Sequence, residues 1–263
     1  MKSTAFLISQ IERGDAAPNN PYSSNLAVKS VVSAIARHAR PVFLQKAISY
    51  GVNPNAFFES STPIMDVVWG AAGYPCPYRY DDQLSCLKLL CSLPGVNLSK
   101  VNQFTKANPL MDAVGLGLFH LIPFLLSVSN TSQQDGKGNT ALSIAAFTSG
   151  MSENLYVLAL ICQCSDCDHQ NNNAETPLMI AAGRGYLDHI KILKHCSDHN
   201  IHNKNGETAI ELAAANKHQK VAESLMDFSS IFSVIKANTI LNQRGLGFTK
   251  KMLKEHLALH QKK

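Results

Sequence analysis

The chain has 263 residues, 45% hydrophobic and 16% charged, with a formal net charge of +5. That apolar content is enough for a substantial buried core and excludes a compositionally disordered chain. Seven cysteines, an odd number and irregularly scattered, exclude a disulfide framework and point to a reducing compartment.

The opening stretch MKSTAFLISQIERGD has too short an apolar run for the core of a secretory signal. Residues 1–24 are expected to form a capping helix. The longest apolar run, Gly115 to Val128, is interrupted by His120 and Pro123 and is too short to span a bilayer, so a soluble protein is expected.

Beyond residue 24 the chain is organised by self-similarity. ETPLMIAAGRGYLDHIKILKHC from Glu175 recurs as ETAIELAAANKHQKVAESLM from Glu207. Upstream, the same pattern returns at Thr140, Asn108, Thr62 and, more faintly, Ser30. From Ser30 to Thr208 these anchors are spaced 32, 46, 32, 36 and 32 residues apart. Each unit reads as a capping residue, a short apolar helix, a loop, a second helix of i, i+3, i+4 pattern and a polar turn. Pro63, Pro109 and Pro177 follow the cap directly, where a helix needs no N–H. Pro123 breaks the pattern inside the third unit's second helix. The second unit carries an insertion, GAAGYPCPYRYDDQ at 70–83, with Tyr74, Tyr78 and Tyr80; FTSGMSENLY is a shorter one in the fourth unit.

After the last unit, two helices are predicted, one ending near Gly245 and one capped by Thr249. From Ile231 onward seven basic residues face Glu255 alone, so the positive charge belongs to this end. Met252, Leu253, His256 and Leu257 would give the second helix an apolar face, suited to capping the stack in preference to contacting a membrane or nucleic acid.

The segment Thr176-Pro177-Leu178 through Ala181-Ala182 to Gly185 resembles the Thr-Pro-Leu-His-x-Ala-Ala-x-x-Gly signature of ankyrin repeat proteins. The resemblance implies an all-α solenoid of about six ankyrin repeats, helix-loop-helix units with short β-hairpin turns, over residues 25–228, with basic capping helices at 229–263. In that family, partners are held by the hairpin tips and by the two residues after the Ala-Ala pair. Carried onto this chain, those positions nominate Phe57, Phe58, Trp69, Phe104, Leu116, Phe147, Arg184 and Asn216. An exposed aromatic stripe of this kind suits an interaction surface; the alternative for Trp69 is burial under the 70–83 insertion.

Cys164, Cys167, Cys196 and His199 spell Cys-x-x-Cys followed by Cys-x-x-His, a spacing known from structural zinc sites. In the repeat frame these residues replace the turn positions of sister units. Packed layers about 8–10 Å apart are too far for equivalent turns to share one ion, so small buried thiols are the favoured reading. The metal alternative is the local cluster Cys162, Cys164, Cys167 and His169. Asp66 and Asp112 occupy matching positions and are expected to bond neighbouring hairpin backbone.

No phosphate loop, catalytic triad or zinc-protease helix occurs in the sequence. The expected protein is a non-catalytic monomer that binds a protein or peptide partner, with no cofactor, small-molecule substrate or nucleic acid. In its Asn and Lys usage and its insertions it is similar to ankyrin proteins that intracellular bacteria deliver into host cells. That likeness implies a reducing intracellular location, reached without a classical signal peptide.

Overall fold

The computed structural model describes residues 32–33, 35–49, 55, 61–70, 80–148 and 152–260. The predicted N-terminal cap, the Ser30 anchor, Phe57, Phe58, Tyr74 and Tyr78 lie outside them. All regular structure in the described residues is helical, and the fold is an all-α helical repeat. The chain divides into two compact units, Met1–Gly136 and Lys137–Lys263.

In the first unit, α1 (Pro41–Ser49) precedes two helix pairs, α2 (Pro63–Gly70) with α3 (Tyr80–Cys91) and α4 (Pro109–Gly115) with α5 (Ile122–Val128). Each helix packs on its own partner, α2 also packs on α4, and α1 on α3. First helices therefore stack on first helices and second on second, as a repeat that cannot bury its apolar face alone requires. Leu87, Leu90, Leu110, Leu121 and Leu125 fill this core. Asn108 caps α4, its side chain accepting from the Met111 N–H at 2.9 Å. Pro123 is accommodated because α5 begins at Ile122, which places the proline in the first turn, where its missing N–H leaves nothing unpaired. The last four residues of the predicted insertion, Tyr80 to Gln83, form the first turn of α3.

The second unit contains α6 (Ala141–Phe147) with α7 (Ser152–Cys162), α8 (Pro177–Arg184) with α9 (Leu187–Leu193), and α10 (Ala209–Ala215) with α11 (Gln219–Leu225). A 3-10 turn comes next at Met226–Phe228, then α12 (Ile231–Asn242) and α13 (Lys250–His260). The first-helix row runs α6, α8, α10, α12 and the second-helix row α7, α9, α11, each helix packed on the next. Thr140 and Thr176 cap α6 and α8 by accepting from the N–H of Ser143 and Met179. Gly185 ends α8 at φ +77, its N–H and that of Tyr186 returning to the Ala182 and Ala181 carbonyls. A Cβ there would enter a disfavoured backbone region and meet the His218 ring at 2.4 Å.

The hairpin tips are turns held by asparagine side chains. Asn171 Oδ1 accepts from the N–H groups of Asn173 and Glu175, and Asn203 Oδ1 repeats this with Asn205 and Glu207. Successive tips are joined through the backbone, Asn172 N–H to the Lys137 carbonyl and Lys204 N–H to the Asn173 carbonyl.

The C-terminal helices follow the last helix pair, α12 packing on α10 and α13 on α12. Ser230 caps α12 and Thr249 caps α13. His256 is buried, while Leu257, expected on the inner face, is exposed. Lys236 of α12 donates to Glu211 Oε2 of α10 at 2.7 Å, and Arg244 donates to the Ala215 carbonyl at the end of α10.

Burial also sets a pH limit. Desolvation pushes the pKa of His120, His189 and His199 below the ordinary 6.5, because it penalises imidazolium. Around and below pH 6.5 the unfolded chain therefore binds protons that the folded chain does not. Stability is full above that value and falls as pH drops toward the folded-state pKa values. Urea midpoints measured across this range should decrease on acidification, and His189→Gln should flatten the dependence. An equally steep decline in that variant would remove His189 from the account.

Candidate partner-binding surfaces and a thiol cluster

In the second unit, a row of side chains forms where the first helices end. Phe147 closes α6 and remains 51% exposed. The Arg184 guanidinium, at the end of α8 in the next repeat, stands 3.4 Å over the Phe147 ring centroid, within cation–π range. Asn216, the C-cap of α10, comes next, and its side-chain nitrogen lies 3.6 Å from where a Cβ on Gly183 would stand. Phe147 is the first residue after its buried alanine pair and Arg184 and Asn216 the second after theirs, so the three lie within one residue of the same repeat position on three consecutive repeats. Inward-facing Ala145, Ala146, Ala181, Ala182, Ala213 and Ala214 are buried, and small side chains there let the first helices approach closely.

The first unit has a corresponding feature. Trp69, at the end of α2, is 43% exposed and donates from Nε1 to Asp112 Oδ2 of α4 at 2.8 Å. Leu116, the C-cap of α4, is also exposed. Burial raises the Asp112 pKa, and the indole hydrogen bond opposes the rise, since it favours the carboxylate. Phe104 stands on a tip, 83% exposed, where Asn102 Oδ1 accepts from the N–H groups of Phe104 and Thr105. Phe57 and Phe58, the other tip candidates, are outside the described residues.

The two aspartates do not bond hairpin backbone as expected. Asp66 Oδ1 accepts from Arg37 at 2.8 Å and from Ser61 at 2.9 Å, and Asp112 accepts from Trp69. Arg37 and Trp69 make these side-chain links between repeats. Tyr80, from the insertion, packs its ring 4.3 Å from that of His120, and His120 Nε2 pairs with Gln83 at 2.8 Å.

The structure divides the metal-site candidates. Cys162 Sγ is 3.2 Å from Cys167 Sγ and 2.8 Å from Cys196 Sγ, and the three sulfurs all lie within 4.8 Å of one another. Cys164, which the sequence spacing groups with them, directs its Sγ to the Leu160 carbonyl. His169 Nε2 pairs with the Gly138 carbonyl at 3.0 Å and His199 Nε2 with the Lys194 carbonyl at 2.7 Å. Cys196 replaces Cys164 and His169 because the pairing is offset. Cys162 is the last residue of α7, two positions before the turn slot that matches Cys196.

Stacked helix pairs with asparagine-held tips and capped first helices are features shared with ankyrin repeats. Residues 149–234, within the second unit, match the family model of ankyrin repeats (3 copies). Ankyrin repeats generally serve as protein-binding modules. A search of the curated proteins finds no match to this chain. No helix among the described residues is long and apolar enough to cross a membrane.

Proposed function

We propose that this chain is a non-catalytic interaction module that holds a protein or peptide partner along the ends of its first helices. In the second unit the contact row is Phe147, Arg184 and Asn216; in the first it is Trp69 and Leu116, with Phe104 on a tip. The observation that carries this reading is Phe147. A large aromatic ring is kept half in water at a helix end while the positions before it are alanines buried in the stack. The ring adds little to the core, and aromatic and arginine side chains are the groups that anchor protein interfaces.

Affinity capture from cell lysates, with binding measurements on the purified partner, tests the reading. Phe147→Ala should weaken binding by about 2 kcal/mol, the scale of an interface hot spot, and leave the melting temperature nearly unchanged. Trp69→Ala should weaken binding similarly, with a modest loss of stability because Asp112 loses its indole donor. Full-strength binding by both variants would refute the proposed surface.

A further inference from the structure

Cys162, Cys167 and Cys196 bring three sulfurs together at the junction of two consecutive repeats, a convergence that partner binding does not use. Cys162 ends α7, Cys167 lies in the turn beyond it and is buried, and Cys196 comes after α9 in the next repeat and is exposed. We propose that these three thiols form a binding site for a soft d10 metal ion, with Cu(I) as the preferred occupant.

Ligand chemistry supports this choice. Thiolates select soft ions, and three sulfurs complete the coordination of a trigonal Cu(I) centre. A structural zinc ion takes four protein ligands. Among the described residues, no imidazole or carboxylate joins the three sulfurs within 4.8 Å, and the nearest sequence candidates, Cys164, His169 and His199, are engaged with backbone carbonyls. Bonds of about 2.3 Å set at trigonal angles would space the sulfurs about 4 Å apart. The present separations of 2.8 and 3.2 Å require each thiol to swing outward by about an ångström or less on average, a side-chain adjustment. Exposed Cys196 gives the ion an entry path, and buried Cys167 withdraws one bond from solvent.

Loading is a proton exchange. Each S–H gives its proton to solvent as the sulfur–metal bond forms, and the ion enters and remains as Cu(I), so no oxidant or reductant takes part. Because each ligand must lose its proton to bind, affinity should rise with pH. Because the ligands come from two repeats, a bound ion also ties those repeats together.

The test is an anaerobic titration of the reduced, metal-free full chain with Cu(I) in competition with a chromophoric chelator, alongside a parallel titration with Zn(II). The expected result is about one Cu(I) per chain, with sulfur-to-copper charge-transfer absorption and a higher melting temperature. Cys162→Ser and Cys196→Ser should each weaken Cu(I) binding by at least about tenfold, whereas Cys164→Ser should bind as wild type. The proposal is overturned if wild-type chain shows neither absorption nor thermal shift, or if Cys164→Ser loses binding while Cys162→Ser keeps it. Tighter binding of Zn(II) than of Cu(I) would overturn the three-coordinate assignment. The wild-type titration decides the matter even if a serine variant fails to fold.

Discussion

Leu193→Ala should lower the stability of the chain by about 2–5 kcal/mol, the cost of truncating a fully buried leucine. Leu193 ends α9, is 0% exposed, and belongs to the second-helix row, in which α9 packs against both α7 and α11. A cavity there is shared by two interfaces, and neither helix can close on it without moving away from its other neighbour. In a repeat stack each unit is stabilised mainly by its neighbours, so the loss should spread to the flanking repeats. Denaturant unfolding of the variant should show a lower midpoint. Partner affinity at low denaturant should hold, because Phe147 and Arg184 are carried by the other helix row. A melting temperature equal to wild type would mean that the site collapses without loss, contradicting the packing of α9 between α7 and α11.

The contrast between these positions shows what was legible in the sequence. The first helices were readable because their signals are local. Asn108, Thr140, Thr176 and Thr208 each precede a helix, and Pro109 and Pro177 stand in first turns. The exposure of Phe147, Arg184 and Asn216 could be reached by counting past the buried alanine pairs. Contacts that depend on side-chain direction were not readable. Asp66 and Asp112 reach side chains of the preceding repeat, Arg37 and Trp69, and no spacing along the chain encodes that choice. The thiols make the same point more sharply. Period counting aligns Cys164 with Cys196, yet Cys162 is the one that meets it. Two residues correspond to about 200° around a helix, so Cys162, still within α7, is aimed quite differently from Cys164 beyond its end. The stacking of Arg184 on Phe147 likewise arises from adjacency between repeats, which sequence periodicity identifies as a slot and not as a contact.

The packing of α12 on α10 rests partly on a buried charge. Glu211 lies in the first turn of α10, is 2% exposed, and accepts from the Thr208 N–H as well as from Lys236. It therefore serves the helix start and the packing of α12 together. Removing one partner of a buried ion pair leaves a desolvated charge behind, which costs about 3–5 kcal/mol where water is fully excluded. Lys236 is itself 43% exposed, so water can reach the vacated position, and Lys236→Met should cost about 1–2 kcal/mol, less than for a fully buried pair. The cost should come from the stranded carboxylate. Combining Lys236→Met with Glu211→Gln should then recover most of the loss, since the neutral amide retains an oxygen for the Thr208 N–H and no longer needs a cation. Thermal unfolding of the two single variants and the double variant measures this coupling. Strict additivity would show that Lys236 supports this contact through its methylene packing alone, and that α12 is held on α10 by its buried Val234, Ala237 and Leu241 without help from the ion pair.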